Sequence, residues 1–326
     1  MARWLIFGGT RFVGHHIAQA AIDAGHAVTL FHRGHTPAQL DGPYRQIHGD
    51  RDGGVDALQD THWDAVIDVC GYVPRVVEQA LEAVGCDHYV YVSSVSVYPD
   101  RPVDQPPIRE DDPVLEWRGP RTEDITELSY GPLKVECERA VTARHPGATL
   151  IRPGYVVGPR DHTHRFSWWM RWLDQAGPVL VPANHSAPIQ VIDGRDLAAF
   201  VVAATQQRLA GAFNCVGPAQ PTTWGEVYDL IVRLAGAGAE PVPVSEAWLL
   251  ERGVDDEALP MWVPPERLGE SLVAAGDKAA DAGMRLRPLV DTIGDILVEP
   301  RRSDRPAARL DAVRGAALLE AWGRED

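Results

Sequence analysis

Through the first half of the chain, short apolar and β-branched runs alternate with segments of helical spacing. Arg3–Phe7 predicts a strand, and the apolar positions from Val13 to Ala24 predict a helix that Gly25 stops. Further strands are predicted at Ala27–His32, Gln46–Gly49, Ala65–Cys70 and His88–Ser93, with a helix over Arg75–Ala83 before the last of them. A helix over Tyr130–Ala143 and a strand at Thr149–Arg152 continue the series. Strands separated by helices require right-handed crossovers, and hence a parallel sheet covered on both faces. The fold class expected is α/β: a doubly wound parallel sheet with a smaller, interleaved C-terminal lobe.

Beyond Gly158 the regularity loosens. Residues 161–188 depart from the sheet, and Ile189–Ile192 and Ala212–Cys215 are expected to return to it. The chain then turns helical with many Pro and Gly. The division expected is a sheet domain over 1–160 with returning segments near 189–217, and a substrate lobe from 161–188 and 218–300. Residues 301–326 read as a linker and a C-terminal helix, in which Leu310, Val313, Ala317, Leu318 and Trp322 have helical spacing.

Composition narrows the classes. Of 326 residues, 45% are hydrophobic and 24% charged, which excludes bulk disorder. The net charge of −15 opposes a phosphate backbone, so no nucleic-acid partner is expected. No apolar stretch approaches the roughly 20 residues that span a bilayer, and no membrane association is expected. The apolar start, Met1 to Phe7, meets Gly8-Gly9 too early for a signal peptide. Cys70, Cys86, Cys137 and Cys215 lack any CxxC spacing, which argues against zinc and disulfides and predicts a reducing, cytoplasmic setting.

Gly8-Gly9-Thr10-Arg11-Phe12-Val13-Gly14 lies between the first strand and the first helix. Glycines there permit a tight turn and close approach of a pyrophosphate to the helix N-terminus, and Gly14 permits close helix–sheet packing. Arg11 stands where a middle glycine is usual. The second strand ends His32-Arg33 with no acid, the group that would bind ribose hydroxyls and repel a 2′-phosphate. Arg11 and Arg33 therefore favour NADP(H), with NAD(H) possible. After the third strand, Asp50 and Arg51 are candidate cofactor contacts, Asp50 as an acceptor for the adenine amino group or as a plain turn acid.

Tyr130 and Lys134 stand at i and i+4 on one helix face. A nearby ammonium lowers a phenol toward the working range of a base. Pro132 is expected in the first helical turn, which puts Tyr130 at the helix start. The strand Tyr91-Val92-Ser93-Ser94 ends in hydroxyls, at the rim where parallel sheets bind ligands.

These motifs, with Arg152-Pro153-Gly154-Tyr155-Val156-Val157-Gly158-Pro159, resemble the extended short-chain dehydrogenase/reductase superfamily of NAD-dependent epimerases and dehydratases, in an atypical subgroup with a Gly-Gly-x-x-x-x-Gly turn. The resemblance implies that residues 1–160 form an NADP(H)-binding Rossmann domain. It implies Ser94, Tyr130 and Lys134 as the catalytic set, with Lys134 also holding the nicotinamide ribose. Gly71, Pro153 and Gly154 become cofactor contacts, joining Gly8, Thr10, Arg11, Phe12, Val13, Gly14, His32, Arg33, Asp50 and Arg51. Asp196 is expected to be structural. Val95 and Ser96 occupy the places of the Asp-Glu pair that performs sugar dehydration, so that route is disfavoured.

The activity expected is hydride transfer between NADP(H) and a small carbonyl or alcohol. A 4-epimerase with retained cofactor and a non-catalytic, dinucleotide-sensing or RNA-associated protein are the alternatives. Homodimerisation through helices flanking the sheet would be in keeping with the superfamily. The histidines at 162, 164 and 185 read as solvated loop residues, and no metal is expected. Arg165-Phe166-Ser167-Trp168-Trp169-Met170-Arg171-Trp172 is a pocket wall with anionic anchors, core packing or a subunit contact. Met261-Trp262-Val263-Pro264-Pro265 is a second apolar segment, read as core or as pocket closure.

Overall fold

The structure is a computed structural model, and it describes all residues except 60, 103–104, 219, 265–272, 300–308 and 326. Seven strands form the central sheet: β1 (Arg3–Phe7), β2 (Ala27–His32), β3 (Tyr44–His48), β4 (Ala65–Asp68), β5 (Tyr89–Val92), β6 (Thr149–Pro153) and β7 (Gly211–Cys215). All pairings are parallel, and the spatial order is β7-β6-β5-β4-β1-β2-β3. The order reverses between β1 and β4, and that switch point is where such sheets open a crevice at their carboxyl ends.

Alternation along the strands divides the core. Trp4 and Ile6 of β1 join a cluster on one face, and Leu5 and Phe7 join another on the opposite face. Helix α1 (Phe12–Asp23) covers the first face; α2 (Pro74–Ala83) and α3 (Glu127–Arg144) cover the second. The chain then leaves the sheet to form α4 (Arg165–Trp172) and returns as α5 (Gly194–Gln207), which packs beside α1.

The expected return at Ile189–Ile192 is corrected by the structure. Pro188–Ile189 pairs antiparallel with Thr222–Thr223, and Val191–Asp193 pairs parallel with Tyr155–Val157, both outside the central sheet. A run of four residues does not reveal which strand it pairs with. Ala212–Cys215 does return, within β7.

A third apolar cluster belongs to the lobe. It gathers α4, α6 (Trp224–Ala235), α7 (Glu246–Glu251) and, after α8 (Asp277–Asp281) beside β7, α9 (Leu289–Val298) and α10 (Ala312–Glu325). A parallel pair, Gly177–Pro182 with Ala239–Val244, runs through it. The second of these strands, Ala-Glu-Pro-Val-Pro-Val, was not expected, since proline opposes strand interiors. With a partner on one side only, prolines are tolerated there.

Tryptophans 168, 169 and 172 are all buried, and the indole N–H groups of Trp169 and Trp172 donate to the carbonyls of Pro260 (2.7 Å) and Leu180 (2.8 Å). This segment is chiefly core. In α10 the buried positions are Gly315 and Leu318, while the expected Val313 is exposed. Most of the expected linker over 301–310, and Pro265, lie outside the described residues.

Candidate active site

A cleft of about 780 Å3 opens at the carboxyl ends of the strands, and it runs from Phe12 and Val13 past Ser93, Ser94, Tyr130 and Lys134 to Pro153 and Gly154. Its inner end is the glycine turn. Gly8 (φ +98°) and Gly9 (φ +88°) adopt backbone that L side chains rarely take, and a Cβ at Gly14 would lie 2.8 Å from the Gly9 nitrogen. Arg11 is the residue before α1, and no side chain caps that helix. Its first N–H groups therefore remain available for a phosphate. This cradle fits a dinucleotide pyrophosphate.

Beside the turn, Arg11 Nε donates to Thr36 Oγ1 (3.1 Å), joining the glycine loop to the loop after β2. Arg33 is exposed at that loop. His32 accepts from the Gly34 N–H at Nδ1 (3.1 Å), which leaves Nε2 to donate to Gln46 Oε1 (3.0 Å). Asp50 accepts from the Asp52 N–H (3.1 Å), the plain turn role. Arg51 turns inward and grips the buried Asp68 through both terminal nitrogens, each at 2.7 Å.

The three expected catalytic side chains meet in this cleft. Ser94 caps a single 3-10 turn, Val95–Val97, accepting from the Ser96 N–H (3.1 Å) and donating to Ser96 Oγ (3.0 Å). Helix α3 begins at Glu127 with a capping box in which Thr126 and Ser129 exchange bonds. Pro132 thus lies in the second turn rather than the first, a correction to the expected helix start. The helix forgoes the bond from position 132 to the carbonyl of Leu128, a residue 82% exposed.

Lys134 is buried, and its ammonium donates to the carbonyls of Gly71 and Val92, both at 2.8 Å. The rings of Tyr91 and Tyr72 lie 4.6 and 4.9 Å from Nζ. Burial lowers its pKa to about 8. Tyr130 does not behave as expected from the spacing alone. Burial pushes the phenol above its ordinary value, and the groups that act against this are a hydrogen bond with Ser94 and the charge of Arg165.

Gly71 serves twice: its carbonyl accepts from Lys134 and from Tyr91 (2.8 Å), and a Cβ would press on Tyr91 and Val77. Asp196 pairs with Arg287 (2.8 Å), the structural role expected. Among the described residues no group of His, Cys, Asp and Glu is arranged for a metal, and no helix is long and apolar enough to cross a membrane.

Sequence reasoning missed Tyr72, Gln190 and Ile125, whereas Ser93, Arg165, Met261 and Val263 lie in segments it had offered as a ligand rim or pocket wall. Ser93 Oγ is buried without a hydrogen-bond partner among the described residues at the cleft wall, and Tyr72, Gln190 and Ile125 also line it. Arg165, within the Trp-rich run, separates from its neighbours and faces the cleft, and Met261 and Val263 border it from the lobe. No spacing signal marks Tyr72, Gln190 or Ile125, because they converge on the cleft only through the fold.

Residues 67–215 match the model of the NAD dependent epimerase/dehydratase family. The chain is 31% identical over 260 residues to the chloroplast stem-loop binding protein of 41 kDa b of Arabidopsis thaliana, covering 73% of this chain and 64% of that protein. It thus spans less than two thirds of that relative's length. It is 26% identical over 270 residues to 2′-dehydrokanamycin reductase of Streptomyces kanamyceticus, covering 79% of this chain and 73% of that one. The UDP-glucuronic acid 4-epimerase from Bacillus cereus, solved in complex with NAD, shares the fold. Its TM-score is 0.64 at 17% identity, over 90% of this chain and 94% of that one.

Proposed function

With residues 67–215 matching the model of the NAD dependent epimerase/dehydratase family, we propose that the chain is an oxidoreductase exchanging hydride between NADP(H) and a small carbonyl or alcohol. The observation that carries this is one cleft holding a glycine-cradled helix N-terminus at one end and Ser94, Tyr130 and Lys134 further along. The bound dinucleotide would supply the hydride chemistry.

The chain's residues position and protonate. Ser94 and Tyr130 hold the substrate oxygen, and Tyr130 gives or takes its proton. Lys134 has two N–H groups on carbonyls and a third for a ribose hydroxyl. Apolar walls at Val92, Val216 and Ile189 exclude water from the reacting atoms. The preference for the 2′-phosphorylated cofactor rests on Arg11 and Arg33 and on the lack of an acid at the end of β2. The Arabidopsis relative is named for stem-loop binding; here the net charge of −15 opposes a phosphate backbone, which supports a small-molecule role.

Calorimetric titration of NADPH and NADH, repeated with Arg33→Ala, tests the reading. NADPH is expected to bind about tenfold tighter or more, and the variant to lose most of that margin. Preference for NADH would remove the 2′-phosphate argument. Binding of neither to folded, cofactor-free protein would remove the oxidoreductase reading.

A further inference from the structure

We propose that the substrate of this cleft is a carbonyl or alcohol with an apolar ring body and a single acidic group that pairs with Arg165. This rests on the oxidoreductase reading above and names its substrate class.

Four large apolar side chains that border the cleft are exposed: Tyr72 (41%), Ile125 (53%), Leu128 (82%) and Tyr155 (38%). Met261 and Val263 face the same space from the lobe. Exposed apolar groups gathered at one mouth mark a surface that a ligand covers.

Ser93 apart, the polar side chains named next are already committed. Gln190 accepts from the Ala274 N–H (3.0 Å) and donates to the carbonyls of Ala274 (3.1 Å) and Pro218 (3.3 Å). The Thr163 hydroxyl donates to Asp161 (2.7 Å), and Thr126 is held in the cap of α3. The rim carboxylates Asp100 and Glu127 each have interactions of their own.

Arg165 differs from these. Its guanidinium lies 5.5 Å above the Tyr155 ring, and it has no carboxylate partner among the described residues. Its charge acts on Tyr130, so it stands near the reacting end of the cleft. Arg309 is close enough to feel repulsion from Arg165, while Glu257 and Asp256 act on Arg309 in the opposite sense. A planar fork with no carboxylate partner among the described residues suits one carboxylate or phosphate. A nucleotide sugar would bring two phosphates and a row of hydroxyls, and these walls offer them few uncommitted partners.

The test is calorimetric titration of benzoate, phenyl phosphate, benzamide and UDP-glucose into the chain saturated with NADP+, using wild type and Arg165→Gln. Circular dichroism and the NADP+ affinity of each protein report whether the fold and the dinucleotide site are intact. An aromatic acid is expected to bind about tenfold tighter or more than benzamide, and Arg165→Gln to erase that gap with NADP+ affinity unchanged. Benzoate against phenyl phosphate decides which acid is preferred. The proposal is overturned by any of four results: benzamide matching the acids, a gap that survives in Arg165→Gln, UDP-glucose binding tightest, or no aromatic acid binding. Failure of wild type to bind NADP+ would instead sink the oxidoreductase reading, and this proposal with it.

Discussion

Lys134 lies among aromatic rings with its ammonium on two carbonyl oxygens, and burial lowers its pKa from the usual 10.5 to about 8. The unfolded chain therefore keeps this proton between about pH 8 and 10.5, where the folded chain has released it. Stability from this group is fully present above that window and is lost as pH falls through about 8. Urea unfolding of wild type and Lys134→Met at about pH 7.5 and about pH 10 checks the sign: the difference should move in favour of wild type as pH rises. A difference independent of pH would mean the ammonium is not desolvated.

Helix α3 is placed by its second turn as much as by its cap. A Cβ on Gly131 would collide with the carbonyl oxygen of Ser96, so the helix rests directly on the turn that carries Ser94. This backbone-to-backbone seat sets the approach of Tyr130 to Ser94. Gly131→Ala should cost about 1–3 kcal/mol in denaturant unfolding and lower turnover by separating the two hydroxyls. Gly147→Ala, where nothing lies within 4 Å, is the control, with little change in either measurement. Equal behaviour of the two variants would contradict the seat. Sequence spacing put Tyr130 and Lys134 on one face correctly, yet it started the helix a turn late. Proline was given its usual first-turn place, while tertiary packing of Gly131 holds it deeper.

At the scale of the molecule, the cleft joins two cores: the faces of the sheet, and the lobe that contributes Arg165 and Met261. Helix α10 is fastened to the lobe. Gly315 sits against the Trp172 ring, Leu318 is buried, and Trp248 donates to Glu325 (2.7 Å). Leu318→Ala is expected to cost about 2 kcal/mol of stability. The loss should weaken small-acid binding at Arg165 and leave NADP+ affinity within about threefold, since the glycine turn belongs to the sheet. Thermal unfolding and the titrations above check this. A parallel fall in both affinities would mean that the lobe and the sheet do not behave as separable supports.

What the sequence determined by itself was local and periodic. Strand–helix alternation, the glycines after β1, the hydroxyls after β5 and the i, i+4 pair on α3 are all statements about neighbours along the chain. They were enough for the doubly wound sheet and for a cleft at its carboxyl edge. Tertiary structure alone decided which side chains converge from distant segments. Arg51 was drawn inward to Asp68, Tyr130 was desolvated by burial, and Arg165 was separated from the tryptophans beside it. Long-range burial and charge depend on distances that spacing in sequence does not encode, which is why the chemistry at the rim was the last part to become legible.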